Sequence, residues 1–155
     1  MFDIYDKDDK IFQVRRPVET PVINEAETDA KKFDVRNIEK ETKENDNFRK
    51  VLFTGKNLQL VLMSLNPKEE IGMEVHNNVD QFFRFDEGEG ELQVDGEESV
   101  KISDGFSIVI PQGTKHNIVN TSDTKKLKLY SIYSPPNHKD GTIHKTKEEA
   151  MKEEH

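Results

Sequence analysis

The stretch GFSIVIPQGTKHNIVN, residues 105–120, decides the fold of this chain. It contains two short runs of β-prone residues on either side of Pro111 and Gly113. Proline removes a backbone donor and glycine accepts a positive φ, so this pair is typical of a turn that ends a strand. His116 opens the second run. The stretch therefore predicts two strands joined by a turn, with an imidazole just after the turn.

Similar short runs recur on both sides of this stretch, between residues 51 and 133. Turn residues such as Asn66-Pro67 and Asp95-Gly96 close them, and the second of these pairs predicts a tight hairpin. Because no helical periodicity separates the runs, an antiparallel sandwich or barrel is favoured over a parallel sheet with crossovers. The predicted strands are Leu58–Leu65, Met73–His76, Gln81–Phe85, Glu91–Val94, Ser99–Ile102, Ser107–Ile110, His116–Val119 and Leu127–Tyr133.

The segments that flank these runs differ in composition. Pro17 and Pro21 restrict any strand near the N-terminus to a sheet edge. Thr146 followed by Glu149 fits a capping box at the start of a helix. The sequence predicts an N-terminal arm, partly extended or made of edge strands, over residues 1–47, a barrel over 48–135, and a C-terminal loop with a short helix over 136–155.

Composition and charge limit the classes of function. The 155 residues suffice for one domain with a core. The 31 acidic and 23 basic residues give a net charge of −8, which argues against nucleic acid and anionic membranes as partners. The absence of cysteine excludes disulfides, thiolate zinc sites and thiol catalysis. No run has the apolar character of a membrane span or signal core, so a cytoplasmic location is expected.

Four polar side chains stand at the ends of the predicted strands. Glu74 and His76 are two residues apart, so they point to the same side of a strand. Gln81 and His116 begin other strands, and all four converge inside the barrel if the sheets close on one another. Two imidazoles and a carboxylate are ligands that a divalent transition metal prefers, and they leave coordination positions open.

The stretch quoted first matches the second sequence motif of the cupins, G(X)5PXG(X)2H(X)3N, in full. The chain therefore resembles the cupin family, which implies an all-β double-stranded β-helix, or jelly-roll barrel. The five matched positions are Gly105, Pro111, Gly113, His116 and Asn120.

The first cupin motif, G(X)5HXH(X)3,4E(X)6G, is matched only in part. His76 occupies the second histidine and Gly88 the closing glycine. Glu74 replaces the first histidine, Gln81 replaces the glutamate, and Lys68 stands at the opening glycine. Most of the chain is nevertheless similar to small single-domain bacterial cupins described as mannose-6-phosphate-isomerase-like.

The resemblance implies one divalent metal ion, and iron, manganese, nickel, zinc and copper are all compatible with these donors. Its ligands would be Glu74, His76, Gln81 and His116. The neutral amide of Gln81 binds a cation more weakly than a carboxylate, but Glu74 restores a negative charge to the site. The alternative is that the metal is lost and these polar groups hydrogen-bond one another.

The leading expectation for function is a metal-dependent cupin that acts on a small polar organic molecule, with Glu74 as the base of a sugar-type isomerase. An iron-dependent dioxygenase and a non-catalytic binding or structural cupin are the alternatives, because the fold does not determine the reaction. Core packing is the commoner role of aromatic residues on such strands, but some are expected to line the pocket. The candidate pocket residues are Gln81, Phe83, Phe85 and Tyr133.

The resemblance also bears on assembly. Small cupins usually bury one sheet face or exchange an N-terminal strand across a dimer, and Ile11–Ile23 contains the apolar runs that would pair with a second subunit. A homodimer is therefore expected, with a small molecule as the other partner.

Overall fold

The fold is that of a computed structural model, which describes residues 32–153. Ile11–Ile23, the segment predicted to pair with a second subunit, lies outside this range. From Val35 onward the described residues belong to one compact unit. Its elements are α1 (Ile38–Glu44), β1 (Arg49–Thr54), β2 (Gln59–Leu65), β3 (Asp80–Glu87), β4 (Glu89–Val94), β5 (Val100–Ser103), β6 (Ser107–Ile110), β7 (His116–Asn120), β8 (Leu127–Ser134), β9 (Ile143–His144) and α2 (Lys147–Glu153).

The strands of the described residues form two antiparallel sheets. One has six strands in the order β6-β3-β8-β2-β1-β9, and the other has three in the order β5-β4-β7. Because β3 and β4 lie in different sheets, as do β7 and β8, the chain passes repeatedly from one sheet to the other. Phe83 and Leu129 of the larger sheet and Ile118 of the smaller one are fully buried in a common core. The predicted all-β jelly roll is confirmed.

Strand β3 shows how the sequence produces this arrangement. Gln81, Phe83 and Phe85 are almost fully buried, whereas the intervening Phe82 and Arg84 are partly exposed. Alternate side chains of a strand share a face, so the inner face of β3 is apolar except where Gln81 points inward. The start of β3 therefore brings one polar side chain into the barrel.

Two of the predicted β-structure features differ from those in the structure. Met73–His76 is not a strand, and only an isolated bridge joins Glu74 to His116. Asp95-Gly96 lies between β4 and β5, but Gly96 alone of the pair has a positive φ, of 81°. A tight two-residue hairpin needs positive φ at both positions. The connection is instead the longer loop of residues 95–99.

The predicted N-terminal arm is partly helical, and a strand that was not predicted follows it. Asn37 caps α1, because its side chain accepts a hydrogen bond from the Lys40 N–H at 3.1 Å. Strand β1 then pairs with β2 and buries Val51. Its sequence, RKVLFT, opens with two basic residues, which weakens the alternation that would indicate a strand.

The predicted C-terminal helix is present as α2. The Glu149 N–H donates to the Thr146 hydroxyl at 3.1 Å, and the Glu149 carboxylate accepts from the Lys145 N–H at 2.8 Å. These reciprocal bonds have the character of a capping box. Ala150 is buried and docks the helix. No helix among the described residues is long and apolar enough to cross a membrane.

Candidate metal centre

Backbone hydrogen bonds bring together Glu74, His76 and His116, three of the candidate ligands. The Glu74 N–H donates to the His116 carbonyl and the His116 N–H donates to the Glu74 carbonyl, each at 2.9 Å. The Gly113 N–H donates to the His76 carbonyl at 2.7 Å. Gly113 has a φ of 84°, a conformation that glycine adopts easily. The segment before β3, although not a strand, is thus held against the start of β7.

The side chains of these three residues point to a common position. Glu74 Oε2 lies 3.5 Å from His76 Nε2 and 3.9 Å from His116 Nε2. Their ligand atoms all lie within 4.8 Å of one another. Both Nε2 atoms are buried and have no hydrogen-bond partner among residues 32–153. Because an unpaired buried polar atom costs about 1–3 kcal/mol, nitrogens that converge in this way on a carboxylate fit a bound cation.

The ring of His116 is oriented by its other nitrogen. Nδ1 lies 2.8 Å from the carbonyl oxygen of Thr114. A carbonyl only accepts, so Nδ1 carries the proton and Nε2 has a lone pair on the side of Glu74. Metal-binding histidines commonly donate their second N–H to a carbonyl in this way, which fixes the tautomer.

Glu74 supplies a negative charge to the cluster. Burial by itself raises the pKa of Glu74, but nearby basic groups lower it by more, and the net pKa lies below the usual range. Those groups are His76, His116 and Arg49. The carboxyl group is therefore ionised at neutral pH, the state in which it binds a cation.

Gln81, the fourth candidate ligand, lies on β3 opposite Tyr133 of β8. Its side chain is buried, and Nε2 donates to the Ser131 hydroxyl at 2.9 Å. Its Oε1 atom is buried and has no hydrogen-bond partner within the described part of the chain. This oxygen is therefore available to a metal ion or to a bound molecule.

The substitution Gln81→Glu tests whether Gln81 adjoins the metal. We expect it to tighten Co²⁺ binding at least about tenfold, or roughly 1.4 kcal/mol, because it adds a negative charge beside the cation. The Ser131 hydroxyl accepts from Gln81 Nε2 in the wild type and donates to the new carboxylate in the variant, so a hydrogen bond between the two side chains is kept. Calorimetric titration with Co²⁺ measures the change. An unchanged affinity would place Gln81 away from the metal.

The aromatic residues predicted to line a pocket are all buried but differ in their contacts. Phe83 packs edge-on against His116, with ring centroids 6.0 Å apart, and Tyr133 packs edge-on against His76 at 5.8 Å. Phe85 instead stacks on Phe83 at 6.3 Å, within the core. Phe83 and Tyr133 thus border the imidazoles, and Phe85 lies behind Phe83.

His138 joins this cluster, although no sequence motif marks it. Its ring packs edge-on against Tyr133 at 4.9 Å, and its Nε2 is buried without a hydrogen-bond partner in the described residues. Gln59 holds its backbone, accepting from the His138 N–H at 2.9 Å and donating to the His138 carbonyl at 2.7 Å. Pro135-Pro136 indicates from sequence only where β8 ends. The partial burial of His138 in the loop beyond it depends on tertiary contacts.

The surroundings of His138 predict a pH-dependent stability. Burial lowers the pKa of His138 to about 4; basic neighbours contribute to this shift and Glu74 opposes it. The basic neighbours are Arg49, His76 and His144. In the unfolded chain a histidine has a pKa of about 6.5, so between these values only the unfolded state binds the proton. The stability that neutral His138 contributes is present above about pH 6.5 and is lost as the pH falls towards 4.

We therefore expect the metal-free wild type to lose about 2 kcal/mol more stability than His138→Phe between about pH 7 and pH 4.5. Phenylalanine keeps a ring against Tyr133 but binds no proton. Urea unfolding in the presence of a chelator measures both proteins. Equal losses would show that His138 titrates normally.

Comparison with known proteins agrees with this architecture. The family model of the cupin domain matches residues 61–133. The crystal structure of BH2720 from Bacillus halodurans is 45% identical and superimposes with a TM-score of 0.76, covering 81% of this chain and 97% of that chain. This chain belongs to the cupin family.

Two further relatives of this cupin carry the name uncharacterized protein. YrkC of Bacillus subtilis (strain 168) is 48% identical over 122 residues, which are 76% of this chain and 65% of YrkC. L612 of Acanthamoeba polyphaga mimivirus is 44% identical over 111 residues, which are 70% of this chain and 69% of L612. The chain thus spans about two thirds of the length of these relatives. The similarity to these relatives establishes the family but does not indicate which reaction, if any, the protein catalyses.

At the opening position of the first cupin motif, this chain has a lysine in place of glycine, but the backbone adopts a conformation that suits glycine. Lys68 stands at the opening glycine and has a φ of 67°. This left-handed conformation is the one that glycine adopts most easily and that costs a lysine about 1–2 kcal/mol. Gly88, at the closing glycine, has a φ of 98°.

A series of polar contacts connects Arg49, beside the candidate metal centre, with α2. Arg49 is buried near Glu74, and its Nη1 lies 3.4 Å from Nδ1 of His144. Nε2 of His144 lies 2.5 Å from Oε1 of Glu153 on α2. Arginine only donates, so His144 accepts at Nδ1 and donates from Nε2 to Glu153. Through His144, helix α2 thus helps to hold the positively charged Arg49 side chain beside Glu74.

Two cavities differ in their relation to the candidate ligands. A small cavity of about 30 Å³ lies between Glu74, Arg49, Ile71 and residues of α2, and it has room for about one water molecule. A surface cleft of about 1000 Å³ is lined by charged residues such as Lys126 and includes none of the candidate ligands. The small cavity therefore belongs to the centre and the large cleft does not.

Proposed function

We propose that this cupin binds one divalent transition-metal ion through Glu74, His76 and His116 and acts on a small polar organic molecule. One observation carries the proposal. The Nε2 atoms of both histidines are buried without partners among the described residues and lie 3.5 and 3.9 Å from a carboxylate oxygen. When bound, the metal would serve as a Lewis acid towards a carbonyl or hydroxyl oxygen of the substrate.

The proposed reaction is an isomerase-type proton transfer on a sugar-like hydroxyaldehyde or hydroxyketone. Once its ionised carboxylate is released from the metal, Glu74 accepts the proton from the carbon that bears the hydroxyl group and returns that proton to the neighbouring carbonyl carbon. A second proton passes between the two substrate oxygens, so that aldose and ketose interconvert without net oxidation.

Tyr133 has a supporting role in this proposal. Burial and the nearby Glu74 carboxylate raise the pKa of its hydroxyl, which therefore stays protonated. The hydroxyl interacts with Ser131 and Gln81. A protonated phenol in this position donates a hydrogen bond to a substrate oxygen, and this bond strengthens as negative charge develops there.

Exchange of carbon-bound hydrogen with solvent deuterium tests the reaction. Protein loaded with a divalent metal is incubated with small aldoses and ketoses in D₂O without oxygen, and exchange is followed by NMR. We expect metal-dependent exchange that is about 100-fold slower in Glu74→Gln, because a positioned general base contributes 10²–10⁴-fold. Glu70→Gln is the matched control, since the Glu70 carboxylate accepts a hydrogen bond from Asn117 at 2.7 Å outside the cluster.

Each other outcome supports a different function. Oxygen uptake by the iron-loaded protein would support the iron-dependent dioxygenase. Retention of a small molecule with neither exchange nor oxygen uptake would support a non-catalytic binding cupin. Failure of the wild type to bind a divalent metal would overturn the proposal itself.

A further inference from the structure

We infer that His138 is a substrate-binding residue, whose Nε2 atom accepts a hydrogen bond from a hydroxyl group of a neutral molecule held at the candidate metal centre. The inference rests on the proposed function, because the three candidate ligands hold the other end of that molecule. His138 lies after β8 and outside both cupin motifs.

His138 is separated from a candidate ligand by one aromatic ring. The Tyr133 ring lies edge-on to His138 at 4.9 Å and edge-on to His76 at 5.8 Å. His76 in turn lies 5.9 Å from His116. Three imidazoles and a phenol thus form a continuous row at one end of the barrel.

The position of His138 suits contact with a substrate better than coordination of the metal. Among residues 32–153, the group of ligand atoms within 4.8 Å of one another comprises Glu74, His76 and His116 and leaves out His138. A molecule that is bound at these three residues must therefore extend away from them to reach His138.

The His138 backbone is held in place by a buried amide. Gln59 is fully buried, and its Oε1 accepts the N–H groups of Asn137 at 3.0 Å and His138 at 2.9 Å. Its Nε2 donates to the His138 carbonyl at 2.7 Å and to the Thr54 hydroxyl at 2.9 Å. Every hydrogen-bonding position of the amide is therefore used. The His138 backbone is fixed, yet its buried Nε2 has no partner in the described residues, a cost that a ligand removes by supplying the bond.

The unpaired atoms select a neutral, hydroxylated ligand. Burial lowers the pKa of His138 to about 4, so the ring is neutral near pH 7 and offers no charge to a carboxylate or phosphate. Gln81 Oε1, on the residue that pairs with Tyr133, also has no partner among the described residues; it only accepts and therefore requires a donor. A hydroxyl group satisfies either atom. Small hydroxyketones and hydroxyaldehydes have this chemistry.

Two matched probes test the inference on the full chain loaded with Co²⁺. Hydroxyacetone and its methyl ether, methoxyacetone, share a carbonyl group and differ in the hydroxyl hydrogen. Binding is followed by the broadening of each probe's methyl resonance in NMR. We expect the wild type to prefer hydroxyacetone about fivefold, the factor that one hydrogen bond provides, and His138→Phe to bind both probes equally. His138→Gln, which keeps polar atoms, should retain part of the preference.

The control and the Co²⁺ spectrum separate the possible failures. Lys139→Ala changes an exposed neighbour and should keep the wild-type preference. Absence of the visible Co²⁺ bands in the wild type would overturn the proposed function. Normal Co²⁺ bands with the same preference in wild type and His138→Phe would overturn the role of His138 alone. Normal bands with no binding of either probe to the wild type would also overturn it.

Discussion

Replacing His76 and His116 together by alanine is expected to lower the Co²⁺ affinity of this cupin at least about 10⁴-fold. Loss of a hydrogen-bond partner behind a metal ligand costs 10–100-fold in affinity, so loss of a ligand itself should cost about 100-fold or more. The two substitutions remove separate nitrogen donors, and their effects on the binding constant multiply. Calorimetric titration of protein without a polyhistidine tag measures the affinity, and metal analysis of the purified proteins supports it.

The double variant should remain folded, which makes the test decisive. The Nε2 atoms of both histidines lack partners among the described residues, so their removal leaves only the Thr114 carbonyl, which accepts from His116 Nδ1, without its side-chain donor. His144→Ala is the control, because this buried imidazole contacts Arg49 and Glu153 and is not itself a candidate ligand. We expect it to change Co²⁺ affinity less than about tenfold. Equal Co²⁺ binding by wild type and double variant would contradict the metal centre.

The barrel strands could be predicted because alternation along a strand is a local property. The last barrel strand was predicted as Leu127–Tyr133 and is observed as Leu127–Ser134. Strand β1 was missed because its first residue, Arg49, is a charged side chain that is nevertheless buried. Its burial depends on Glu74 and His144, which come from distant parts of the chain. No local pattern contains that information.

The candidate ligands were predicted from the spacing of polar residues in the sequence. The structure brings them together for a different reason. Met73–His76 is not a strand, and two backbone hydrogen bonds between Glu74 and His116 take its place. His138 could not be predicted in the same way. Its place beside Tyr133 is set by Gln59, 79 residues earlier in the chain, and the loop sequence around it indicates only where β8 ends. Residues that loops bring to the site can be identified only from the structure.

Replacing Gly88 by alanine is expected to lower the free energy of unfolding by about 4 kcal/mol. Gly88 joins β3 to β4 with a φ of 98°, where a residue with a side chain loses about 1–2 kcal/mol. A Cβ atom there would lie 2.5 Å from the Lys126 carbonyl oxygen and 3.0 Å from the Leu127 Cα. Both are backbone atoms, so the start of β8 must move, and such overpacking adds about 1–3 kcal/mol.

Gly96→Ala separates the two causes. Gly96 has a similar φ of 81°, but apart from its chain neighbours no atom of residues 32–153 lies within 4 Å of the position of its Cβ. Only the conformational cost applies there, about 1–2 kcal/mol, and urea unfolding of the metal-free proteins at neutral pH measures both variants. Similar losses in the two variants would contradict the steric explanation. A larger loss at Gly88 would support the steric explanation. The closing glycine of the first cupin motif would then be required because the connection between β3 and β4 packs directly against the backbone at the start of β8. Lys68, at the opening glycine, shows that a positive φ alone does not require glycine.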